Sequence, residues 1–254
     1  MLDDFTPIIH KLDGRTIRIY AIADVHLGAK ECAVKEFRRF VERIAADKDA
    51  YIVICGDVLN NGVKDSVTNV YEEVLPPHAQ IETAVELLTP IKDKILGCVG
   101  GNHEHRTKKA VDLDPLYAVM LMLGKGELYR QNLAFVRVNL ERGKTKDHYA
   151  LLLVHGASAG KRNKFDLGAV EGVDAIIGGH VHSGDIRKNT RIIFSTSNTV
   201  KTRDIVSLTA VSWLDYGGYA ARALHMPQST KHPQCLELEF TGTNASSGNI
   251  RVIW

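Results

Sequence analysis

Apolar residues in this chain come in short blocks that stop at a polar residue able to hold a metal. Residues 17–23, 51–55 and 95–99 are runs of strand length, followed by Asp24, by Gly56-Asp57 and by Gly100-Gly101-Asn102. Runs of that length bounded by turn residues predict buried strands. Between the first two runs the period changes. Val34, Phe37, Val41, Ile44 and Ala45 recur at helical intervals within 32–46, with charges on the other face, which predicts an amphipathic helix. Residues 68–75 and 81–88 read as two further helices, separated at Pro76-Pro77 because proline cannot continue a helix. Asp114-Pro115 predicts an N-cap followed by proline at the first helical position, with Gly124 closing that helix.

The second half of the chain reads differently. Strands are predicted at 133–140, 149–154, 175–177, 191–195, 205–211, 235–240 and 249–254, with few long helices between them. Leu236, Leu238 and Phe240 alternate with Glu237 and Glu239, the pattern of a half-buried strand. A helix-rich half followed by a strand-rich half predicts an α/β fold with two sheets face to face and helices outside. Neither a repeat nor a low-complexity linker divides the chain. One domain over 1–254 is expected, with 212–254 as a C-terminal extension or cap packing on the second sheet.

Five stretches carry the candidate chemistry: Asp24-Val25-His26, Gly56-Asp57, Gly101-Asn102-His103-Glu104, His155-Gly156 and Gly179-His180-Val181-His182. Each follows an apolar run, so five distant segments deliver His, Asp and Asn to one edge of a sheet. Imidazole and carboxylate suit divalent transition ions. Two such ions about 3.5–4 Å apart can clamp the attacking and leaving oxygens of a displacement at phosphorus. Asp57 is the natural bridging carboxylate, because it follows a strand and a glycine without a histidine partner. Asn102 offers a neutral oxygen, and its neighbour His103 is left over as a proton donor.

In these five blocks the chain resembles the calcineurin-like metallophosphoesterases, whose pattern is D-x-H, G-D, G-N-H-[ED], H and G-H-x-H. The resemblance spans residues 24–182 with no ligand missing. Its style is closest to small bacterial or phage phosphodiesterases and DNA-repair exonuclease-like members. It implies a four-layer αββα sandwich of two mixed sheets flanked by helices, with a dinuclear centre at the C-terminal edge of the strands. One ion would be held by Asp24, His26, Asp57 and His182, and the other by Asp57, Asn102, His155 and His180. Mn²⁺ is the expected metal, with Fe, Zn, Ni or Mg as alternatives. The reaction implied is in-line attack on a phosphodiester, of nucleic acid or a nucleotide, by hydroxide that the two ions make available, with Asp57 and His103 catalytic and His103 the general acid. Two alternatives stay open: a phosphomonoesterase for nucleotides or small metabolites, and a non-catalytic scaffold on the same fold. Gly56-Asp57-Val58-Leu59-Asn60-Asn61-Gly62 departs from the G-D-x-V-D-R-G of Ser/Thr protein phosphatases, and Gly100 stands where their R-G-N-H-E has arginine. Two phosphate-gripping arginines are therefore absent.

Charge and composition sharpen this reading in a few places. The net charge of +2 excludes little, but basic residues crowd the segments downstream of the motifs. They are Arg106, Lys108 and Lys109, then Lys161, Arg162 and Lys164, then Arg187, Lys188 and Arg191, then Lys201 and Arg203. Rimming the site, they would make an electropositive mouth that attracts polyanions such as DNA or RNA. Arg106 is the expected direct phosphate contact, because a guanidinium matches phosphate oxygens bidentately. His105, Lys161 and Arg162 are further substrate-contact candidates. Trp213, Tyr216 and Tyr219 read either as a base-stacking platform or as core. Cys32, Cys55, Cys98 and Cys235 have no paired spacing, so a reduced, cytoplasmic setting is expected. No apolar stretch is long enough to span a bilayer, and residues 1–15 lack signal-peptide order. Homodimer formation stays open.

Overall fold

The structure, a computed structural model, describes residues 4–64, 66, 70–156, 170–194, 199–215, 231–242 and 249–253. Two mixed six-stranded sheets, flanked by helices, make an α/β fold. The first sheet has the order β12-β11-β2-β3-β4-β5 and the second β1-β6-β7-β8-β10-β9. In the first, β2 (Thr16–Ile22), β3 (Ala50–Cys55), β4 (Ile95–Val99) and β5 (Tyr129–Arg130) run parallel. Parallel neighbours need crossover connections. Here α1 (Val34–Ala46), α2 (Pro77–Leu88), α3 (Asn102–Val111) and α4 (Pro115–Met122) lie in them. All five residues of β4 and five of six in β3 are buried. Burial on both faces is why these strands read as continuous apolar runs rather than alternating ones.

The second sheet joins β1 (Ile8–Asp13), β6 (Leu133–Arg142), β7 (Thr145–Val154), β8 (Ala175–Gly178), β9 (Asp185–Phe194) and β10 (Val200–Thr209). One buried apolar core lies between the sheets, taking Ile52, Ile54 and Cys98 from the first and Val136, Leu151 and Leu153 from the second.

Several expectations held and several did not. The α4 cap is as expected: the Asp114 side chain accepts the Tyr117 N–H at 3.1 Å, Pro115 opens the helix and Gly124 follows it at φ 72°. Among the described residues, the helix expected over 68–75 is instead a 3₁₀ turn at Val70–Glu72, followed by Glu73, whose carboxylate bonds Asn60, Gly62 and Gln80 rather than facing solvent from a helix. Several elements were not anticipated, the short β5 among them. β1 precedes every motif yet pairs in parallel with β6 in the second sheet, and α3 begins at the candidate ligand Asn102 itself. β9 starts six residues earlier than expected, since its polar stretch 185–190 is an exposed edge strand with no apolar pattern to betray it.

The C-terminal strands also differ from expectation. β11 (Cys235–Glu239) pairs antiparallel with β2, and β12 (Asn249–Ile253) with β11. They extend the first sheet rather than pack on the second. No helix among the described residues is long and apolar enough to cross a membrane.

Candidate metal centre

Hydrogen bonding between chain segments continues past the strand ends. Asp24 N–H donates to Gly56 O at 3.1 Å, His26 N–H to Asp57 O at 3.0 Å and Gly179 N–H to His155 O at 3.1 Å. These bonds hold the motif loops side by side. Within them the backbone turns the wrong way for ordinary residues: Asp24, His26, Asp57, His180 and His182 all have φ between 51° and 75°. For residues other than glycine this left-handed region costs roughly 1–3 kcal/mol each and persists only where surrounding structure enforces it. The turn swings each side chain back over its own strand end. Close approach also requires glycine, since a Cβ on Gly101 would lie 2.2 Å from Asp57 Oδ1 and one on Gly56 2.6 Å from Gly101 Cα.

Two donor clusters result. Asp24 Oδ1, His26 Nε2 and His182 Nε2 converge, with 3.5 Å from His182 to Asp24, 3.9 Å from His26 to Asp24 and 3.2 Å between the imidazole nitrogens. Asp57 Oδ2, Asn102 Oδ1, His155 Nε2 and His180 Nδ1 form the second. His155 Nε2 lies 3.1 Å from Asp57 Oδ2 and 2.9 Å from Asn102 Oδ1, which is 2.9 Å from His180 Nδ1. Asp57 also belongs with His26 and His103 to a third set of donor atoms within 4.8 Å of one another, so it adjoins both clusters. Each carboxylate spends one oxygen on a backbone N–H. Asp57 Oδ1 accepts from His103 and Asp24 Oδ2 from His180, both at 2.8 Å, which leaves Asp57 Oδ2 and Asp24 Oδ1 turned inward.

The residues fit a pair of divalent ions. Asp24 Oδ1 and His26 Nδ1 are buried without a hydrogen-bond partner. An orphaned buried carboxylate oxygen beside two imidazole nitrogens is a costly arrangement that a cation relieves. Burial pushes Asp24 up to about 7, and it drives His26 well below the usual histidine range and His182 to about 4. Burial lowers His180 as well. Neutral imidazoles keep a lone pair for a metal. His155 behaves oppositely. Burial opposes its charge, yet the neighbouring Asp57 carboxylate holds it up at about 10. For Asp57 burial likewise works upward, but His155 and His103 outweigh it and keep the carboxyl well below the normal range. His155 Nδ1 donates to Cys55 O at 2.7 Å, which orients Nε2 toward the cluster.

His103 sits beside these donors without joining the two main clusters. Its ring stands 4.4 Å from that of His26, and Nε2 is 3.8 Å from Asp57 Oδ2. Nδ1 donates to Asn60 O at 2.6 Å, and Arg106 Nη2 donates to Nε2 at 3.0 Å. Burial lowers the His103 pKa. Arg106, three residues on along α3, is thereby brought to the site. His105 is not: its Nε2 is 3.3 Å from Gln131 O, on another side of α3. Lys161 and Arg162 lie outside the described residues.

Four cations expected at an electropositive rim, Arg187, Lys188, Arg191 and Arg203, are engaged elsewhere, and Lys164, like Lys161 and Arg162, lies outside the described residues. Arg187 and Lys188 are on β9 rather than in a loop, and they pair with Asp185 at 2.6 Å and Asp204 at 2.7 Å. Arg203 pairs with Asp174 at 2.6 Å, and Arg191 donates to Val170 O. Lys188 and Asp204 meet across the β9–β10 pair, where opposite charges neutralise locally. The base-stacking reading also fails for Trp213, which is buried with its ring 5.1 Å from both Phe37 and Phe40. It serves the site differently: its backbone N–H donates to Asp24 O at 3.0 Å. Tyr216 and Tyr219 fall outside the described residues.

Sequence reasoning missed an inner ring of polar residues. Asn61 is buried at φ 46°, donates to His103 O at 2.6 Å and accepts from Thr107 Oγ1 at 2.9 Å. Gln80 accepts the Asn61 N–H and donates to Glu73, which also accepts from Asn60 Nδ2 and the Gly62 N–H. Glu104, fully buried, accepts three backbone N–H groups from the β3 and β4 loops. Asn61 stands in the segment where the protein phosphatases carry arginine, and here both ends of its amide are occupied. The one available signal was a run of polar residues directly after an apolar strand.

No curated protein matches the sequence. Solved structures of similar outline include a predicted phosphoesterase from Streptococcus pneumoniae, at 13% identity over 89% of this chain and 83% of that one, with TM-score 0.36. Vps29 from Entamoeba histolytica complexed with Zn²⁺ is 12% identical over 89% and 88%, with TM-score 0.40. NAD nucleotidase from Haemophilus influenzae is 9% identical over 94% and 49%, with TM-score 0.44. Likenesses this distant say nothing about activity. The family described as calcineurin-like phosphoesterase matches residues 17–184, more than half of the sequence and all five motif segments, and the chain belongs to that family.

Proposed function

We propose that this metal-dependent phosphoesterase hydrolyses phosphodiesters, with His103 as general acid and Arg106 as the phosphate contact. The observation that carries this reading is the Asn60–His103–Arg106 chain beside the donor clusters. When bound, two divalent ions on Asp24, His26, Asp57, Asn102, His155, His180 and His182 would supply Lewis acidity and hydroxide near neutral pH.

The chain's own residues do the rest. Asn60 O fixes the His103 tautomer, with the proton on Nδ1 and Nε2 facing the donors. Without substrate, Arg106 occupies Nε2. A phosphate oxygen draws the guanidinium away, since charge-assisted contacts outcompete a neutral acceptor. Nε2 is then free to take up a proton from solvent and pass it to the departing alkoxide. Arg106 is a single guanidinium, and the described cations of β9 and β10 are already engaged. One positive charge matches the single negative charge of a diester better than a monoester dianion. The same neutralised strands give little support to a long nucleic-acid track, so a small diester is the favoured substrate.

The test is hydrolysis of bis-p-nitrophenyl phosphate against p-nitrophenyl phosphate by Mn²⁺-loaded protein, with an alkyl diester and His103→Ala alongside. Diester preference is expected, and His103→Ala should keep its metals while losing roughly 10²–10⁴-fold in rate on the alkyl ester. Monoester preference overturns the substrate class. Full activity of the variant on the alkyl diester overturns the acid assignment. No turnover with two ions bound overturns the enzymatic reading in favour of a scaffold.

A further inference from the structure

Glu104 closes the motif Asn102-His103-Glu104 but belongs to none of the donor clusters. Its carboxylate is fully buried, and both oxygens are committed. Oε2 accepts the N–H groups of Asp57 at 2.9 Å and Gly101 at 3.0 Å, and Oε1 accepts that of Leu59 at 3.0 Å. One side chain thus joins the loop after β3, which carries Asp57, to the turn that starts α3, which carries Asn102 and His103. Nothing comparable from Glu104 reaches Asp24, His26 or His182.

A third buried carboxylate beside Asp24 and Asp57 adds repulsion, so a merely structural staple would favour a neutral residue. Three donors nevertheless need two acceptor oxygens. Glutamine offers one, and its amide would set a donor against the N–H of Leu59. Only a carboxylate satisfies all three.

We propose that Glu104 is a positioning residue that sets the spacing between Asp57 and Asn102, and thereby selectively builds the half of the centre formed by Asp57, Asn102, His155 and His180. The proposal rests on the dinuclear reading of the site. Groups that orient ligands in this way typically change metal affinity 10–100-fold when altered.

The experiment is Mn²⁺ titration of the full chain by calorimetry, with electron paramagnetic resonance reporting whether two bound ions are spin-coupled. Glu104→Gln is compared with wild type and with Asp147→Asn. Asp147 is a matched control: a buried β7 carboxylate accepting from Thr241 N, Thr241 Oγ1 and Gly242 N, away from the motif loops. Glu104→Gln should keep one ion near wild-type affinity, weaken the other roughly 10–100-fold and lose the coupled signal. Asp147→Asn should lower the unfolding midpoint yet bind both ions as wild type does. Two ions bound normally by Glu104→Gln, or equal weakening of both ions in Glu104→Gln and Asp147→Asn alike, overturns the proposal. If Glu104→Gln does not fold, Glu104→Asp, which keeps the charge but shortens the reach, is read by the same criteria. Wild type taking up a single ion overturns the dinuclear centre itself and this proposal with it, and that failure is visible before any variant is made.

Discussion

Asp24, His26 and His182 carry unmet hydrogen-bonding capacity, whereas Asn102, His155 and His180 are already joined to one another. In the first group Asp24 Oδ1 has no partner, and two imidazole nitrogens face each other at 3.2 Å. In the second, His155 and His180 both converge on Asn102 Oδ1, and His155 also meets Asp57. The second group lies nearer the surface, with Asn102 exposed and His180 half-buried. The contrast separates two arrangements of the same donor types. One half leaves polar atoms unsatisfied, at about 1–3 kcal/mol for each orphan. In the other, the Asp57 carboxylate favours the protonated form of His155. An ion binding the first half supplies a missing partner, and one binding the second displaces a proton.

The largest effect should come from Asp57→Asn, because Asp57 adjoins both groups. Metal affinity should fall by at least roughly 100-fold, with manganese lost from dialysed protein in elemental analysis. Two fully retained ions would show that the halves do not share this residue. Next in size, Asp24→Asn should separate the halves. At pH 8 in chelator it should stabilise the metal-free chain by about 1–3 kcal/mol, since an amide can donate where Oδ1 now has no partner. The same variant should lose the stabilisation that wild type gains from Mn²⁺, about 2.7 kcal/mol at a hundredfold excess over Kd. Urea unfolding with and without metal reads both, and an unchanged or lowered chelator midpoint would break the account of the first half.

The second half is tested by a pH dependence. His155 is raised from 6.5 to about 10 in the folded chain. Below pH 6.5 both folded and unfolded states hold the proton, so the stabilisation is fully present there. It is lost as pH rises through about 10, where the native state gives up its extra proton. Metal-free wild type should therefore lose stability between pH 7 and 10 relative to His155→Gln. Parallel profiles for the two would mean that the proton is not what holds the second half together.

Much of the centre could be read from the chain because metal chemistry restricts residue type. Asp24, His26, Asp57, Asn102, His155, His180 and His182 stood out as ligand types placed after buried strands, and the folded chain brings all seven together. Asn61, Gln80 and Glu73 did not stand out, and Glu104 was visible as the end of its motif but not as a backbone acceptor. Their value lies in which backbone N–H they meet, and polar residues after a strand are also what any loop contains. His105 and Trp213 mark the converse error. His105 shares the segment of His103 but not its helical face, and Trp213, suited in type to stacking on a base, is spent on the core. The basic clusters misled for a related reason, because Lys188 and Arg203 pair with Asp204 and Asp174, acids that sequence order keeps well apart.

The sequence by itself determined β2, β3, β4, α1, α2 and α4, the order of the candidate ligand segments and the chemistry they can support. These are local properties, set by the period of apolar residues and by donor atoms. Only the tertiary structure decided that β1 joins the second sheet and that β11 and β12 cross back to the first. It alone decided that five candidate ligand residues adopt left-handed backbone and that one buried glutamate ties two of the motif loops together. Strand partners and buried polar partners are chosen by contact between distant segments, where the free energy depends on the whole arrangement and leaves no periodic trace in the chain.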